Sequence, residues 1–513
     1  MSRRAGVLLH PTSLPGPHGI GSLGDDAHAF VDWLADAGIR AWQILPLGPT
    51  GYGDSPYQAF SAFAGNPPLI SLRRLAREGL VTDDELAAAA APPGAASDVD
   101  YGAVLERKGA ALRAATARLR DPAFAEAREA VARFRHDQAA WVEGYALFRA
   151  LKDAHGGAAW VDWPAPLRDR EPDALDAARR EHAEAIDHHV ALQAWFWAQW
   201  HDLRAHAHDR DVAILGDLPI FVAYDSADVW MHRAIFDLDP SGAPRVVAGV
   251  PPDYFSATGQ RWGNPTYRWD VLERDGFGWW IDRLAAAFAH LDAVRIDHFR
   301  GFAAHWEIPA DAPTAEHGRW VDGPGQTLFD AARAALGPLN IVAEDLGIVT
   351  PDVDALREAN GFPGMKVLQF AFGGNARDPY LPHEHVRNAV VYTGTHDNDT
   401  TRGWFDAAPD AERDRVRRYL ACDDAGAVAA LRRAAFASVA DLAVVPLQDV
   451  LELGSDARMN TPGAAGGNWR WRVRWEALSD ERRAMLRELV TLYGRGGDDA
   501  DATDTPYRQS VLP

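Results

Sequence analysis

The run Ala293-Val-Arg-Ile-Asp-His-Phe299 decides the fold. It is a short apolar stretch that ends in charge. The β-branched Val294 and Ile296 favour an extended chain, and a period of two puts Arg295, Asp297 and Phe299 on one face. Seven further runs read the same way: Ala5–Leu9, Ala41–Pro46, Val212–Leu218, Asn340–Asp345, Met365–Phe372, Ala389–Thr395 and Val444–Val450. Each leads into a polar loop and then into helical texture. Eight parallel strands alternating with helices predict an α/β fold, a (β/α)8 TIM-type barrel with largely helical insertions between strands.

Outward from those runs, the texture divides the chain. Residues 1–71 hold the first βα units. Residues 72–209 are rich in Ala and Arg, and apolar positions there recur every 3.6 residues; Trp141, Tyr145 and Phe148 share one helical face. That stretch is expected to be a mainly helical insertion. Residues 210–495 carry the rest of the barrel, with an aromatic loop near 250–265. Residues 496–513 are acidic and weakly patterned, as in a frayed tail.

Composition removes several classes of function. The 513 residues are 47% hydrophobic and 24% charged, enough apolar surface for a large core. The 52 Lys and Arg stand against 73 Asp and Glu, a net charge of −21, with the arginines scattered beside acids. A nucleic acid would be repelled. A single cysteine, Cys422, excludes an internal disulfide and with it a stapled secreted scaffold. The first apolar run is shorter than a signal-peptide core of about 7–15 residues. No stretch reaches the roughly 20 apolar residues of a membrane span. A cytoplasmic protein with no membrane partner is expected. The 19 Trp outnumber the 12 Tyr. Indole rings serve both cores and sugar stacking, so this count does not choose between them.

The strand ends carry the chemistry, because barrel enzymes build their sites there. Five end in acids: Asp217; Asp297; Glu344 with Asp345; Asp397 with Asp399; and Asp449. A guanidinium at Arg295 would keep Asp297 ionised and oriented, as a nucleophile needs. Glu344 follows the apolar Asn340-Ile-Val-Ala343, where burial would raise its pKa toward that of a general acid. Asp397 has His396 beside it. Retaining glycoside chemistry needs such a kit, one carboxylate to attack the anomeric carbon and another to protonate the leaving oxygen. A lone Asp after a strand is more often a helix cap or a salt-bridge partner. Acids at successive strand ends are poorly explained that way.

Tyr254, Phe255 and Trp262 follow Pro251-Pro252 in a polar context. They could stack on sugar rings over a cleft, or anchor their own loop. Three other signals are set aside. Gly19-Ile-Gly-Ser-Leu-Gly24 matches a dinucleotide fingerprint, but it lies some residues beyond its strand and no acid ends the next strand. The histidines at 182, 188, 189, 201, 206 and 208 are interleaved with Asp and Arg, which suggests a solvated helix face and no metal. Cys422 has no evident base nearby.

The motifs Val294–Gly301, Ala343–Gly347 and Tyr392–Thr400 resemble those of the amylomaltases, the 4-α-glucanotransferases of the α-amylase superfamily. So do Gly6–Gly16, Gly53–Gln58, Val250–Ser256, Trp262–Pro265 and Gly467–Arg472. Gly466 stands where the family usually has an acid. The resemblance implies Asp297 as nucleophile, Glu344 as general acid/base and Asp397 as the residue holding sugar hydroxyls in the transition state. It also implies Arg295, His396, Asp217 and Tyr57 around the same ring, and an aromatic loop (Tyr254, Phe255, Trp262) over the acceptor side. The expected substrates are maltooligosaccharides and α-1,4-glucans, passed to the 4-OH of another sugar, with no metal or cofactor. Two alternatives stay open: an α-1,4-glucan hydrolase on the same scaffold, and a non-catalytic glycan-binding protein.

Overall fold

The computed structural model describes residues 3–92, 98–252, 256–464 and 466–497. Eight parallel strands form the centre: β1 (Arg4–Leu8), β2 (Ala41–Gln43), β3 (Ala213–Pro219), β4 (Ala293–Asp297), β5 (Ile341–Ala343), β6 (Gly364–Val367), β7 (Ala389–Tyr392) and β8 (Leu442–Pro446). Neighbours in sequence are neighbours in the sheet, and β8 pairs with β1. The seam between β5 and β6 closes by the Ala343 N–H donating to the Pro363 carbonyl at 2.9 Å. All eight predicted strands are present, and the fold is the expected (β/α)8 barrel.

Except for β3, which runs one residue further to Pro219, the strands stop earlier at the carboxyl end than their apolar runs suggested. Glu344 and Asp397 therefore sit just beyond their strands, while Asp217 and Asp297 are strand residues placed by register. Leu8, Leu215, Val342, Met365, Val390 and Val444 form one buried cluster with Tyr392, and Met459 and Trp469 join it. The expected helix after β6 is missing. Residues between β6 and β7 make only two 3-10 turns, Leu368–Phe370 and Pro382–Glu384. Gly373, Gly374, Pro379 and Pro382 explain this, since glycine weakens a helix interior and proline breaks it.

Helices dominate between β2 and β3. The longest, Ala183–Asp209, puts Trp195, Phe196, Trp200 and Leu203 into the same core as Val7, Trp42 and Ile214 of the barrel. Leu112 and Ala115, from the helix Tyr101–Arg118, join that core. Tyr145 and Phe148 are buried with Leu218, Val294 and Ile296, while Trp141 is only partly covered. Of the histidines on the long helix, His201 and His208 are exposed as read, and the buried His189 corrects that reading. His189 is buried against Asp153 at 2.9 Å, His188 meets the Thr116 hydroxyl, and His206 and His208 reach Asp32 and Asp292. They tie the helix to its neighbours. Among the described residues no cluster of three or more His, Cys, Asp or Glu could hold a metal ion.

A second sheet was not anticipated. Its antiparallel strands run in the order Gln260–Pro265, Val246–Val250, Ala304–Pro309, Arg319–Asp322. They leave the barrel after β3 and β4, so the sheet stands over the carboxyl ends. The glycine motif packs against protein. A Cβ on Gly21 would lie 1.9 Å from the Pro11 carbonyl oxygen, and one on Gly24 would lie 2.4 Å from the Ser71 hydroxyl.

Candidate active site

The site grows from register. In the β3–β4 ladder Asp217 lies opposite Arg295 and Pro219 opposite Asp297. Arg295, 3% exposed, therefore reaches both acids from inside the barrel. Its NH1 group donates to Asp217 Oδ1 (2.9 Å) and Oδ2 (2.7 Å), and its NH2 group lies 2.9 Å from Asp297 Oδ1. The Asp217 side chain is fully buried, whereas that of Asp297 keeps 30% of its surface. The first acid anchors the arginine; the second is available to a ligand.

Burial raises the Asp217 carboxyl above the usual carboxylate range, with Arg295 opposing and Asp297 adding to the rise. The Tyr57 hydroxyl donates to Asp217 Oδ2 at 2.9 Å. Burial pushes that phenol well above its ordinary value, so it keeps the proton it donates. Burial works against the charge on Arg295, but Asp217 and Asp297 more than offset it.

On the other side of β4, Ile296 pairs with Ala343, which sets Glu344 next to Asp297. The Glu344 carboxyl accepts two backbone N–H groups, from His298 to Oε2 (2.8 Å) and from Leu346 to Oε1 (2.9 Å). Burial is the main force on it, and Asp297 adds to it; Arg295 and the two N–H groups oppose. The net result is a pKa raised to about 7. The sequence reading of a carboxyl made weakly acidic by its apolar approach agrees with this.

Asp397 arrives from the turn after β7 with 46% of its side chain exposed. Asn460 Nδ2 donates to its Oδ1 at 2.7 Å, Arg458 holds its backbone carbonyl at 2.7 Å, and His396 Nε2 is 3.4 Å from Oδ2. The His396 ring stacks on Tyr57 (5.1 Å, 16°), and Trp469 tilts against both. Contacts thus run from Asp397 through His396, Tyr57, Asp217 and Arg295 to Asp297, and Glu344 follows across β4. All seven of these predicted residues converge at the carboxyl end of the barrel.

Other predicted groups go elsewhere. Phe299 does not share the Arg295 face. The strand ends at Asp297, His298 turns left-handed, and Phe299 drops into a 3-10 turn packed on Phe302, Phe329 and Phe362. Asp345 points away from Glu344, accepting the Met365 N–H (2.7 Å) with Arg357 alongside, which pins the β5–β6 seam. Asp399 accepts from the Thr400 N–H and the Ser455 hydroxyl. Asp449 is buried among the Thr393 hydroxyl and the Thr401 hydroxyl and N–H. These three acids fasten loops. Trp262 lies on a strand, not in a loop, with its ring edge-on to His298 at 4.8 Å. Tyr254 and Phe255 lie outside the described residues. Sequence reasoning missed His298, Arg458 and Asn460. The first stood beside Asp297 in a quoted motif, but nothing local marked the other two.

An eight-stranded parallel barrel with acids of unequal exposure and protonation at its mouth defines a carbohydrate-active barrel enzyme. More narrowly, the chain belongs to the 4-alpha-glucanotransferase family, glycoside hydrolase family 77, whose profile matches residues 9–478, and it is an enzyme of that class. It is 54% identical to the 4-alpha-glucanotransferase of Thermus thermophilus over 498 residues, covering 96% of this chain and 98% of the relative. It is 50% identical to that of Synechocystis over 497 residues, 96% and 98% of the two chains. In structure it is similar to an amylomaltase from Streptococcus agalactiae in complex with acarbose, with a TM-score of 0.92, 39% identity, and coverage of 96% of this chain and 100% of that one. Among the described residues no helix is long and apolar enough to cross a membrane.

Proposed function

We propose that the chain transfers α-1,4-glucan segments by a retaining double displacement through a glycosyl ester on Asp297. In the first half, an Asp297 carboxylate oxygen attacks the anomeric carbon. The glycosidic C–O bond breaks, and Glu344 gives its proton to the departing 4-oxygen. In the second half, Glu344 takes the proton from the 4-OH of an acceptor glucose or maltooligosaccharide. That oxygen displaces Asp297 and restores an α-1,4 bond. Asp397 binds hydroxyls of the reacting ring. Arg295, His396, Asp217 and Tyr57 orient the nucleophile and the ring.

The observation that carries this reading is the pairing across β4. An accessible Asp297 is held by Arg295, and its neighbour Glu344 has a pKa raised to about 7. Two carboxyls with environments this different are suited to nucleophile and acid/base duty. Attack, protonation and deprotonation all belong to side chains, so the reaction as written draws on no cofactor or metal.

Trp262, with Tyr254 and Phe255, is assigned to the acceptor side, where excluding water favours a sugar over hydrolysis. Residues 1–71 and 210–495 are read as the barrel and residues 72–209 as its helical subdomain; of the stretch 496–513, Gly496 is held by Arg40 Nε at 3.0 Å and residues 498–513 lie outside the described residues. The partners are maltooligosaccharides and α-1,4-glucans, and the place of action is the cytoplasm. The charge of −21 disfavours nucleic acid.

Incubation with pure maltotriose tests the reading. Longer maltooligosaccharides together with free glucose are expected, and Asp297→Ala should abolish both. Glucose and maltose alone would make water the acceptor. Near-normal turnover by Asp297→Ala would refute the nucleophile.

A further inference from the structure

His298 stands between the two carboxyls and has an unusual backbone. Its φ of 53° and ψ of 49° are left-handed, a region that costs a residue with a Cβ about 1 kcal/mol and is tolerated by Gly and Asn. The conformation has a visible product. The Glu344 carbonyl accepts the Phe299 N–H at 3.2 Å, so the His298 N–H is left to reach the Glu344 carboxyl at 2.8 Å.

The side chain is enclosed beside the turn. It is 8% exposed, its Nε2 has no hydrogen-bond partner among the described residues, and it packs edge-on to Trp262. Gly301 leaves it room, since a Cβ there would lie 3.2 Å from His298 Cδ2 and 2.8 Å from Ile220 Cδ1. Burial drives the imidazole pKa down to about 3, so it stays neutral and adds no charge beside the acid.

We infer that His298 is a positioning residue, whose left-handed backbone aims an N–H at the Glu344 carboxyl and so sets where this acid/base exchanges its proton. The inference rests on the proposed acid/base role of Glu344. An N–H aimed at a carboxyl favours the anion. It stabilises the charge that grows on Glu344 as its proton leaves in the first half-reaction. It also keeps the group ionisable for the second. The other groups around Glu344 are Arg295 and Asp297 on β4. Asp217 and Tyr57 lie behind Arg295, and His396 and Asp397 stand across the mouth. Asp345 on the same turn is occupied by the Met365 N–H and Arg357.

The test separates backbone from imidazole. His298→Asn and His298→Gly tolerate the left-handed turn and lack the ring; His298→Val lacks the ring and resists the turn. The pH dependence of kcat/KM on maltotriose is measured for each. His298→Val is expected to move the alkaline limb upward by roughly one pH unit, the worth of one hydrogen bond to a charged group. It should also lower kcat. His298→Asn and His298→Gly are expected to keep the wild-type limb, whatever they lose in KM. Equal limbs in all three variants would overturn the inference, as would equal displacement in all three. A control locates any failure. If Glu344→Gln retains the wild-type alkaline limb, that limb is not Glu344's and the acid/base assignment itself fails. If Glu344→Gln removes the limb while the His298 variants behave alike, only the role of His298 fails. Circular dichroism of each variant confirms that the barrel is intact.

Discussion

Arg295→Met removes the cation on which the site is built. The loss can be sized from its contacts. Arg295 makes three N–H···O contacts to two acids from a side chain that is 3% exposed, and the Asp217 side chain is fully buried. Removing one partner of a buried, hydrogen-bonded ion pair costs about 3–5 kcal/mol, because the remaining charge is stranded. Methionine fills much of the volume beside Met365, so packing loss is the smaller part. The penalty must depend on pH. Burial already raises the folded-state pKa of Asp217 above its unfolded value, and Arg295 is the largest force holding it down. Without Arg295 it rises further. A carboxyl whose folded pKa lies above the unfolded one loses stability as pH climbs from about 4 through the folded value. Arg295→Met should therefore melt closer to wild type at pH 5 than at pH 8, with the full penalty reached only at the higher pH. Thermal melts of both proteins at the two pH values measure this. An equal deficit at both, or none at pH 8, would refute the view that Arg295 compensates a buried carboxylate.

Two further substitutions probe separate parts of the account. Tyr57→Phe keeps the stack on His396 but removes the hydroxyl on Asp217, a hydrogen bond to a charged group worth about 1.5–3 kcal/mol. Steady-state kinetics on maltotriose should show kcat/KM lowered by up to about a hundredfold, and thermal melts a melting temperature lowered by a few degrees; full activity with an unchanged melt would mean the hydroxyl is idle. Lys108 is buried with only the Pro68 and Ile70 carbonyls as partners among the described residues, and burial lowers its pKa to about 7. A Lys with a folded pKa below its unfolded value of about 10.4 costs stability that is recovered as pH rises between the two. Wild type should therefore gain on Lys108→Met in melting temperature between pH 7 and pH 9.5, and parallel curves would contradict this.

The barrel was legible because each strand is a short apolar run, a pattern set by burial on both faces, and five of the eight end in acids. The antiparallel sheet was not. Val246–Val250 and Gln260–Pro265 contain glycine, proline and charge, and Val246–Val250 pairs on its other edge with Ala304–Pro309, which is distant in sequence. Their hydrogen bonding is a tertiary fact, so Trp262 read as loop. The acids proposed to react were legible as a set at strand ends. Which of them would face inward was less so. Asp345 and Asp449 carry the same local signal as Glu344, yet each is consumed by backbone N–H or threonine groups that only the folded chain brings near. His189 was misread for the same reason: its partner Asp153 comes from another helix. Asn460 shows the limit most plainly, since nothing around residue 460 announces a hydrogen bond to a carboxylate 63 positions away.

The central claim is the glycosyl ester on Asp297. Glu344→Gln can still be glycosylated by an α-maltosyl fluoride, because fluoride leaves without a proton, but it lacks the base for the second half-reaction. Brief reaction of this variant with the fluoride, acid quenching, proteolysis and mass spectrometry would locate the trapped sugar. The account predicts a maltosyl adduct on the peptide containing Asp297 and assigned to that residue. An adduct on Asp397 or Asp217, or fluoride turnover with no adduct at any time, would contradict it.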